Sequence, residues 1–160
     1  MKPEVKEALQ VLHKESLLAD CPKEIKEIFM PSFMIPAYPE REFEFVCELI
    51  GLFTYVQVLN GKSVVKLRPQ LVQVLSIYFI HGECNKASRK TIEEMFSINP
   101  KLVNSFNHEL RNYGYLQRDT MRTGVNYLSE DLKQLKDFYQ NAYEKKQDLN
   151  LLLKIVHPNS

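Results

Sequence analysis

Polar side chains recur on one side of the segment 101–111, namely Lys101, Asn104, Ser105, His108 and Arg111. Asn104 and His108 are four residues apart, which is about one turn of a helix. An asparagine amide can form two hydrogen bonds with an adenine edge, and arginine can bind guanine or a phosphate. A lysine near a helix N-terminus also suits a phosphate. The spacing therefore predicts one helical face of hydrogen-bonding and cationic groups, with Asn107 at its border.

Local signals predict the helix that carries this face. Asn99 is a good N-cap, and Pro100 suits the first helical position because its missing N–H is not needed there. Ile98 can pack against Val103 in a hydrophobic staple. Gly114 ends the helix. The predicted apolar stripe consists of Leu102, Phe106, Leu110 and Tyr113.

A second short helix is predicted just upstream, and a ribbon just downstream. Ser88 can cap the upstream helix, whose apolar face would be Ile92, Met95 and Phe96. After Gly114, two short apolar stretches at 115–118 and 125–128 flank a polar turn, which predicts a two-stranded β-ribbon. Residues 84–87 can supply a third strand.

This order of elements resembles the winged helix-turn-helix family over residues 68–140. The run H-E-L-R-N-Y-G-Y-L-Q-R-D, residues 108–119, is similar to the end of that family's recognition helix and the start of its wing. The resemblance implies a mainly α fold, with a winged helix-turn-helix core, a small β-ribbon wing and helical extensions at both ends. It also implies double-stranded DNA as a partner, because such a helix fits the major groove.

The resemblance assigns DNA contacts to the polar face and to its cationic neighbours. Arg89 and Lys90 would hold the flanking backbone, and Arg118 and Arg122 in the wing would reach a phosphate or the minor groove. The full set of expected DNA-binding residues is Arg89, Lys90, Lys101, Asn104, Ser105, Asn107, His108, Arg111, Arg118 and Arg122.

The charge distribution agrees with this placement. The whole chain has a net charge of only +1, but residues 61–128 hold 10 basic and 5 acidic side chains. Residues 1–60 hold 6 basic and 10 acidic side chains, and residues 129–160 hold 5 of each. The positive excess thus coincides with the segment that would meet DNA, although a solvated face would look the same.

Motifs for catalysis and metal binding are missing from the sequence. It contains none of the glycine-rich phosphate motifs and no G-x-S-x-G, and Glu93 and Glu94 are adjacent, so they point in different directions on a helix. The three cysteines form no C-x-x-C pair, and the four histidines are scattered. We therefore expect no enzyme, no cofactor, no metal site and free thiols in the cytoplasm.

The flanking segments are expected to be helical. Residues 1–60 would form an N-terminal extension with helices at 3–19 and from Pro22, the latter with Ile25, Ile28 and Phe29 as its apolar face. A proline-rich extended strap would follow at 31–39, and then an apolar helix over 40–59. Asn60-Gly61 leaves a β-hairpin within 54–67 as an alternative, because this dipeptide favours both tight hairpin turns and helix ends.

Two further helices complete the prediction. The first begins at Pro69 and ends at His81-Gly82, and it supports the core 61–128. The second is a long helix over 129–155 within the C-terminal segment 129–160, capped by Ser129. Its heptad-spaced stripe predicts a homodimer that is held by this helix and by the apolar helix at 40–59. Packing of the last helix against the rest of its own chain is an open alternative. The stripe residues assigned to self-association are Leu132, Leu135, Tyr139, Ala142, Leu149 and Leu153.

Three functions remain open on the sequence. The first is a dimeric DNA-binding transcriptional regulator, and the second is a DNA-docking component of a larger assembly in replication, partition or viral DNA packaging. The third is a winged helix that binds protein instead of DNA. No apolar run approaches the about 20 residues that a membrane span needs, so we expect no membrane partner.

Overall fold

The chain folds into a mainly helical structure with a small three-stranded antiparallel sheet. The computed structural model describes residues 25–29, 32–34, 39–63, 66–151 and 153–156. The helices are α1 (Glu42–Leu59), α2 (Pro69–His81), α3 (Lys86–Phe96), α4 (Pro100–Asn112) and α5 (Glu130–Glu144). The strands are β1 (Ile25–Phe29), β2 (Ser32–Phe33), β3 (Glu83–Cys84), β4 (Leu116–Arg118), β5 (Asn126–Leu128), β6 (Leu149–Asn150) and β7 (Leu153–Val156). The helix predicted over 3–19 lies outside the described residues.

The predicted helices α1 and α2 are confirmed. Helix α1 is apolar nearly all round and buries eight residues, and the Thr54 hydroxyl inside it donates to the Ile50 carbonyl at 2.8 Å. Residues 54–59 belong to this helix, so the alternative hairpin is wrong there, and Asn60-Gly61 ends the helix with Gly61 at a φ of 71°. Helix α2 begins at Pro69 and ends at Gly82 in the left-handed conformation.

The two central helices begin at side-chain caps. Asn99 caps α4 as predicted, because its side chain accepts from the Leu102 N–H at 3.0 Å. The predicted cap of α3 is wrong, since Asn85 is the N-cap and accepts from the Ser88 N–H at 2.9 Å. The Ser88 hydroxyl oxygen in turn accepts a hydrogen bond from the Asn85 N–H at 2.8 Å, which completes a capping box. Helix α3 therefore starts earlier than predicted.

The predicted ribbon is confirmed as the antiparallel pair β4 and β5, in which Leu116 pairs with Leu128 and Arg118 with Asn126. The third strand predicted at 84–87 forms only in part, as β3, since residues 86–87 already belong to α3. Strand β3 lies on the other side of β5 and pairs Cys84 with Asn126. Because β3 directly precedes α3, this pairing ties the ribbon to the start of that helix.

The predicted long C-terminal helix is wrong beyond Glu144. Helix α5 ends there, Lys146 adopts a φ of 52°, and the Gln147 N–H returns to the Ala142 carbonyl at 3.0 Å. Residues 143–148 offer no aliphatic side chain to extend the stripe, so further helix would bury little. The chain instead turns back into β6 and β7.

The stripe predicted for self-association belongs largely to the core of its own chain. Leu132, Leu135, Tyr139 and Ala142 are buried in the same core cluster as the buried residues of α1 and α2. The Tyr139 ring stacks on Phe45 of α1 at 5.8 Å between centroids. Leu149 is buried in β6, and Leu153 begins β7, whose backbone pairs with β1. For α5, the intramolecular alternative therefore describes the packing.

The predicted helix after Pro22 is also wrong in its described part, because residues 25–29 form the strand β1. Strand β1 pairs antiparallel with β7, and β2 pairs with β6. A short segment between prolines makes a poor helix, and a nearby strand satisfies its backbone hydrogen bonds. The predicted extended strap is confirmed at residues 32–33, while residues 39–41 form a 3-10 turn.

Candidate nucleic-acid interface

Helix α4 presents a polar face to solvent. Lys101, Asn104, Ser105 and His108 are exposed, while Val103, Phe106 and Leu110 are buried on the opposite side. The predicted stripe was placed one residue off at its start, since Leu102 is 38% exposed and Val103 replaces it in the core. The His108 ring nitrogen Nε2 lies 3.2 Å from the Asn112 amide, one turn away on the same face.

The assignment of Asn107 to the DNA-binding face is wrong. Asn107 is only 2% exposed, and its Oδ1 accepts from the Tyr78 hydroxyl at 2.5 Å. Its Nδ2 donates to the Cys84 sulfur at 3.5 Å. Residues 103, 106, 107 and 110 follow the spacing of a buried helical face, and the polar Asn107 fits there because it finds partners in the core.

Three arginines gather where α3, α4 and the ribbon meet. The Arg89 guanidinium donates to Asn104 Oδ1, and Arg111 Nη1 donates to Asn126 Oδ1 at 3.2 Å. Partial burial, followed by the positive charges of Arg118 and Arg89, lowers the pKa of Arg111. Among the described residues, none of these three arginines forms an ion pair with a carboxylate. We call Arg89, Arg111 and Arg118 the arginine cluster.

A buried polar layer lies beneath the arginine cluster. The Cys84 sulfur is within 3.7 Å of the Asn126 amide, and Asn126 in turn holds Arg111. Burial raises the pKa of the Cys84 thiol and of the Tyr78 hydroxyl, so both groups are neutral at pH 7. The layer therefore holds Arg111 through Asn126 without offsetting the positive charge of the cluster.

Sequence reasoning missed the members of this layer. No polar role was predicted for Tyr78 or Cys84, and Asn126 is a single polar residue in a short strand. The available signal was the polar type of Asn126 in a strand whose neighbours are apolar, but nothing in the sequence names its partner.

Arg122 has a structural role that the sequence did not predict. Its Nε contacts Asp119 Oδ2 at 2.6 Å, and its Nη2 contacts Glu83 Oε2 at 2.9 Å. The expectation that Arg122 offers a free cation to a phosphate is therefore corrected, because two carboxylates already neutralise it. The ion pairs connect the ribbon turn to β3.

A cleft of about 470 Å³ separates the start of α3 from the ribbon turn. Its lining residues are Lys86, Arg89, Lys90, Glu93, Thr123, Gly124 and Val125. Lys90 also lies 3.9 Å from Glu94, but both side chains are at least 70% exposed, so this pair is weak. Farther along α3, Met95 is 51% exposed, which corrects its assignment to the buried face.

The described residues contain no group of three or more His, Cys, Asp and Glu side chains arranged to hold a metal ion. No helix in the described part of the chain is both long and apolar enough to cross a membrane. Comparison of the chain with protein-family models, with curated proteins and with solved structures gave no match.

Proposed function

We propose that this protein binds double-stranded DNA as a winged helix-turn-helix domain, with α4 as its recognition helix and β4–β5 as its wing. The observation that carries the proposal is the arginine cluster. Arg111 donates to Asn126, the strand partner of Arg118, and Arg89 donates to Asn104 beside them. None of the three arginines has a carboxylate partner among the described residues. The positive charges of these guanidinium groups repel one another, and an anion bound between them reduces the repulsion. DNA phosphates are anions at regular spacing.

The position of the cluster favours DNA over a small anion. Arg89 of α3 donates a hydrogen bond to Asn104 on the exposed face of α4. Arg118 is exposed on the ribbon. Phosphate contacts on two sides of a helix would set its depth and register in a major groove. Lys101 at the start of α4 would add a further phosphate contact.

The exposed face of α4 supplies groups for reading bases. Asn104 Oδ1 accepts from Arg89, so its Nδ2 remains a donor for a base edge. His108, one turn further, and Ser105 beside it donate or accept hydrogen bonds. We propose a sequence-reading transcriptional regulator on this ground, since a purely structural DNA-docking subunit needs only the phosphate contacts.

The stripe from which self-association was predicted lies mostly in the core. The DNA-binding proposal is argued from the arginine cluster and does not require self-association. A dimer would present two recognition helices to a palindromic site, which would raise the affinity. In this proposal a second copy would have to dock through residues outside the buried stripe.

A second candidate function has its own supporting observation. Met95 and Leu102, 51% and 38% exposed, lie on either side of the turn between α3 and α4. Two exposed apolar side chains beside a helix turn suit a protein partner. A winged helix that binds protein would use this side of the turn, and its binding would not depend on the arginine cluster.

The test is a filter-binding titration with mixed-sequence duplex DNA at two salt concentrations. We expect Arg89→Gln combined with Arg118→Gln to weaken binding and to lower the salt slope by about two units, one unit for each phosphate that the variant no longer neutralises. The matched control is Lys66→Gln combined with Lys145→Gln, which removes two exposed cations outside the cluster.

The control should bind like the wild type, since it removes the same net charge from a different part of the surface. Equal losses in both double variants would show that net charge alone acts, without a defined interface. Wild-type chain that retains no duplex DNA at either salt concentration would overturn the proposal.

A further inference from the structure

The turn of the ribbon between β4 and β5 carries an apolar side chain at its tip. Met121 is 89% exposed, more than any other large hydrophobic residue that the structure describes. The flanking residues Thr120, Thr123 and Gly124 are exposed as well and are small. A long apolar side chain therefore projects from a narrow turn, where folding gains nothing from its burial.

The backbone beneath Met121 is braced. Asp119 Oδ1 accepts from the Met121 N–H at 2.8 Å and from the Arg122 N–H at 3.2 Å, and the Asp119 N–H donates to the Val125 carbonyl at 2.9 Å. The Arg122 guanidinium contacts both oxygens of Glu83 in β3. These hydrogen bonds fix the backbone of the turn with Met121 pointing to solvent. A contact made by Met121 would therefore cost little conformational entropy in the turn.

The charge around the turn indicates which surface Met121 meets. Arg118, three residues earlier, belongs to the arginine cluster, and Arg89 and Lys90 line the cleft beside the turn. Two nearby carboxylates, Asp119 and Glu83, both contact Arg122, which leaves one net negative charge there. Glu93 in the cleft adds a second negative charge. The cations near the turn, Lys86, Arg89, Lys90 and Arg118, outnumber these two negative charges, and the Met121 thioether is the uncharged group at the tip.

We propose that Met121 inserts between two base pairs from the minor groove and kinks the duplex, while the arginine cluster holds the adjacent phosphates. Apolar side chains act as such wedges in minor-groove binding, and the unstacked step can bury the methionine that the free protein exposes. Flexible pyrimidine–purine steps such as TA would be the preferred sites. This inference rests on the proposed DNA-binding function.

The experiment is permanganate footprinting of the wild-type chain on a long duplex of mixed sequence rich in TA steps. Permanganate oxidises thymines that have lost stacking, so every thymine along the duplex reports insertion wherever the protein binds. The variants are Met121→Ala, Met121→Leu and Met95→Ala. The last removes an exposed methionine on α3 that does not line the cleft.

We expect wild type, Met121→Leu and Met95→Ala to produce hyperreactive thymines at TA steps, and Met121→Ala to produce none. Met121→Ala should also weaken binding roughly tenfold, because the alanine variant buries less apolar surface in the unstacked step. Its salt slope should equal that of the wild type, because no charge has changed. Met121→Leu keeps an apolar wedge and should restore both properties.

The failures are distinguishable. Wild-type binding with no hyperreactive thymine, or the same thymines with Met121→Ala, would overturn the wedge and leave the DNA-binding proposal intact. Loss of affinity in Met121→Ala with no thymine signal in the wild type would assign Met121 to a surface contact and reject insertion. A wild type that binds no duplex DNA would overturn both.

Discussion

The four arginines near the ribbon have different roles because their partners differ. Arg122 lies between Asp119 and Glu83, and it also lies over the Tyr127 ring with 5.7 Å to the centroid. Arg89 and Arg111 donate instead to neutral asparagine oxygens, and Arg118 raises the local positive charge. At the scale of residues, ion pairing therefore separates a structural arginine from those free to bind an anion.

The pH response of the ribbon turn can be predicted from Asp119. Hydrogen bonds from the Tyr127 hydroxyl and the Met121 N–H, together with Arg122, lower the pKa of Asp119 to about 2. An aspartate in an unfolded chain has a pKa of about 3.9, so this bracing is fully present above that pH. It is lost as the pH falls toward 2.

NMR measures this directly through the amide shifts of Met121 and Arg122 between pH 6 and pH 2. We expect both shifts to remain near their neutral values at pH 4 and to change only near pH 2. The variant Asp119→Asn, which has no carboxyl group, should not show this transition. A midpoint near the ordinary aspartate value would contradict the bracing role of Asp119.

Helix α4 shows how a correct element can be predicted with its faces slightly misplaced. Its N-cap, the proline at its first position and its end were all predicted from the sequence, because these signals depend on adjacent residues. The orientation depends on what α2 and β3 offer beneath it. Tyr78 and Cys84 supply polar partners there, so Asn107 turns inward and Leu102 turns out.

We predict that Asn107→Ala lowers the free energy of unfolding by about 1–3 kcal/mol, because the buried Tyr78 hydroxyl loses its acceptor. Urea denaturation measures the change. Ser105→Ala, on the exposed face of the same helix, should change it by less than about 0.5 kcal/mol.

The double variant Asn107→Ala with Tyr78→Phe should recover part of the loss, because no hydroxyl is then left without a partner. An Asn107→Ala chain as stable as the wild type would show that the Tyr78–Asn107 hydrogen bond adds no net stability.

At the scale of the whole molecule, helices from both flanks complete one core. The buried side chains of α1 and α5 pack with those of α2, α3 and α4 in one cluster. Lys136 of α5 donates to the carbonyls of Phe79 and Ile80 at 2.7 and 2.8 Å, which caps the C-terminus of α2. Residues 45–149 thus contribute to the core that supports α4.

We therefore predict that Leu135→Ala reduces stability without altering assembly. Leu135 is 5% exposed, and its truncation should lower the free energy of unfolding by about 2–5 kcal/mol. Sedimentation of the folded variant should give the same number of subunits as the wild type.

Phe138→Ala is the control, since Phe138 lies one turn away on α5 and is 62% exposed. It should leave stability nearly unchanged. A Leu135→Ala chain that dissociates from a larger assembly while keeping wild-type stability would return the α5 stripe to an interface role.

Elements whose signals are local could be predicted from adjacent residues alone. Asn99-Pro100 and Pro69 start helices, Gly82 ends one, and the alternation on either side of the 119–124 turn defines the ribbon. The exposure of Lys101, Asn104 and His108 on α4 also followed from spacing, whereas the burial of Asn107 did not.

Features that depend on a residue far away in the chain could be seen only in the folded protein. The strands β1 and β7 are more than a hundred residues apart, so no local pattern could pair them. Heptad spacing in 132–156 is the same whether the stripe meets another chain or α1 and α2, and only the packed structure distinguishes the two for α5. For the same reason, an arginine's charge is visible in the sequence, but the carboxylates that neutralise Arg122 are visible only in the fold.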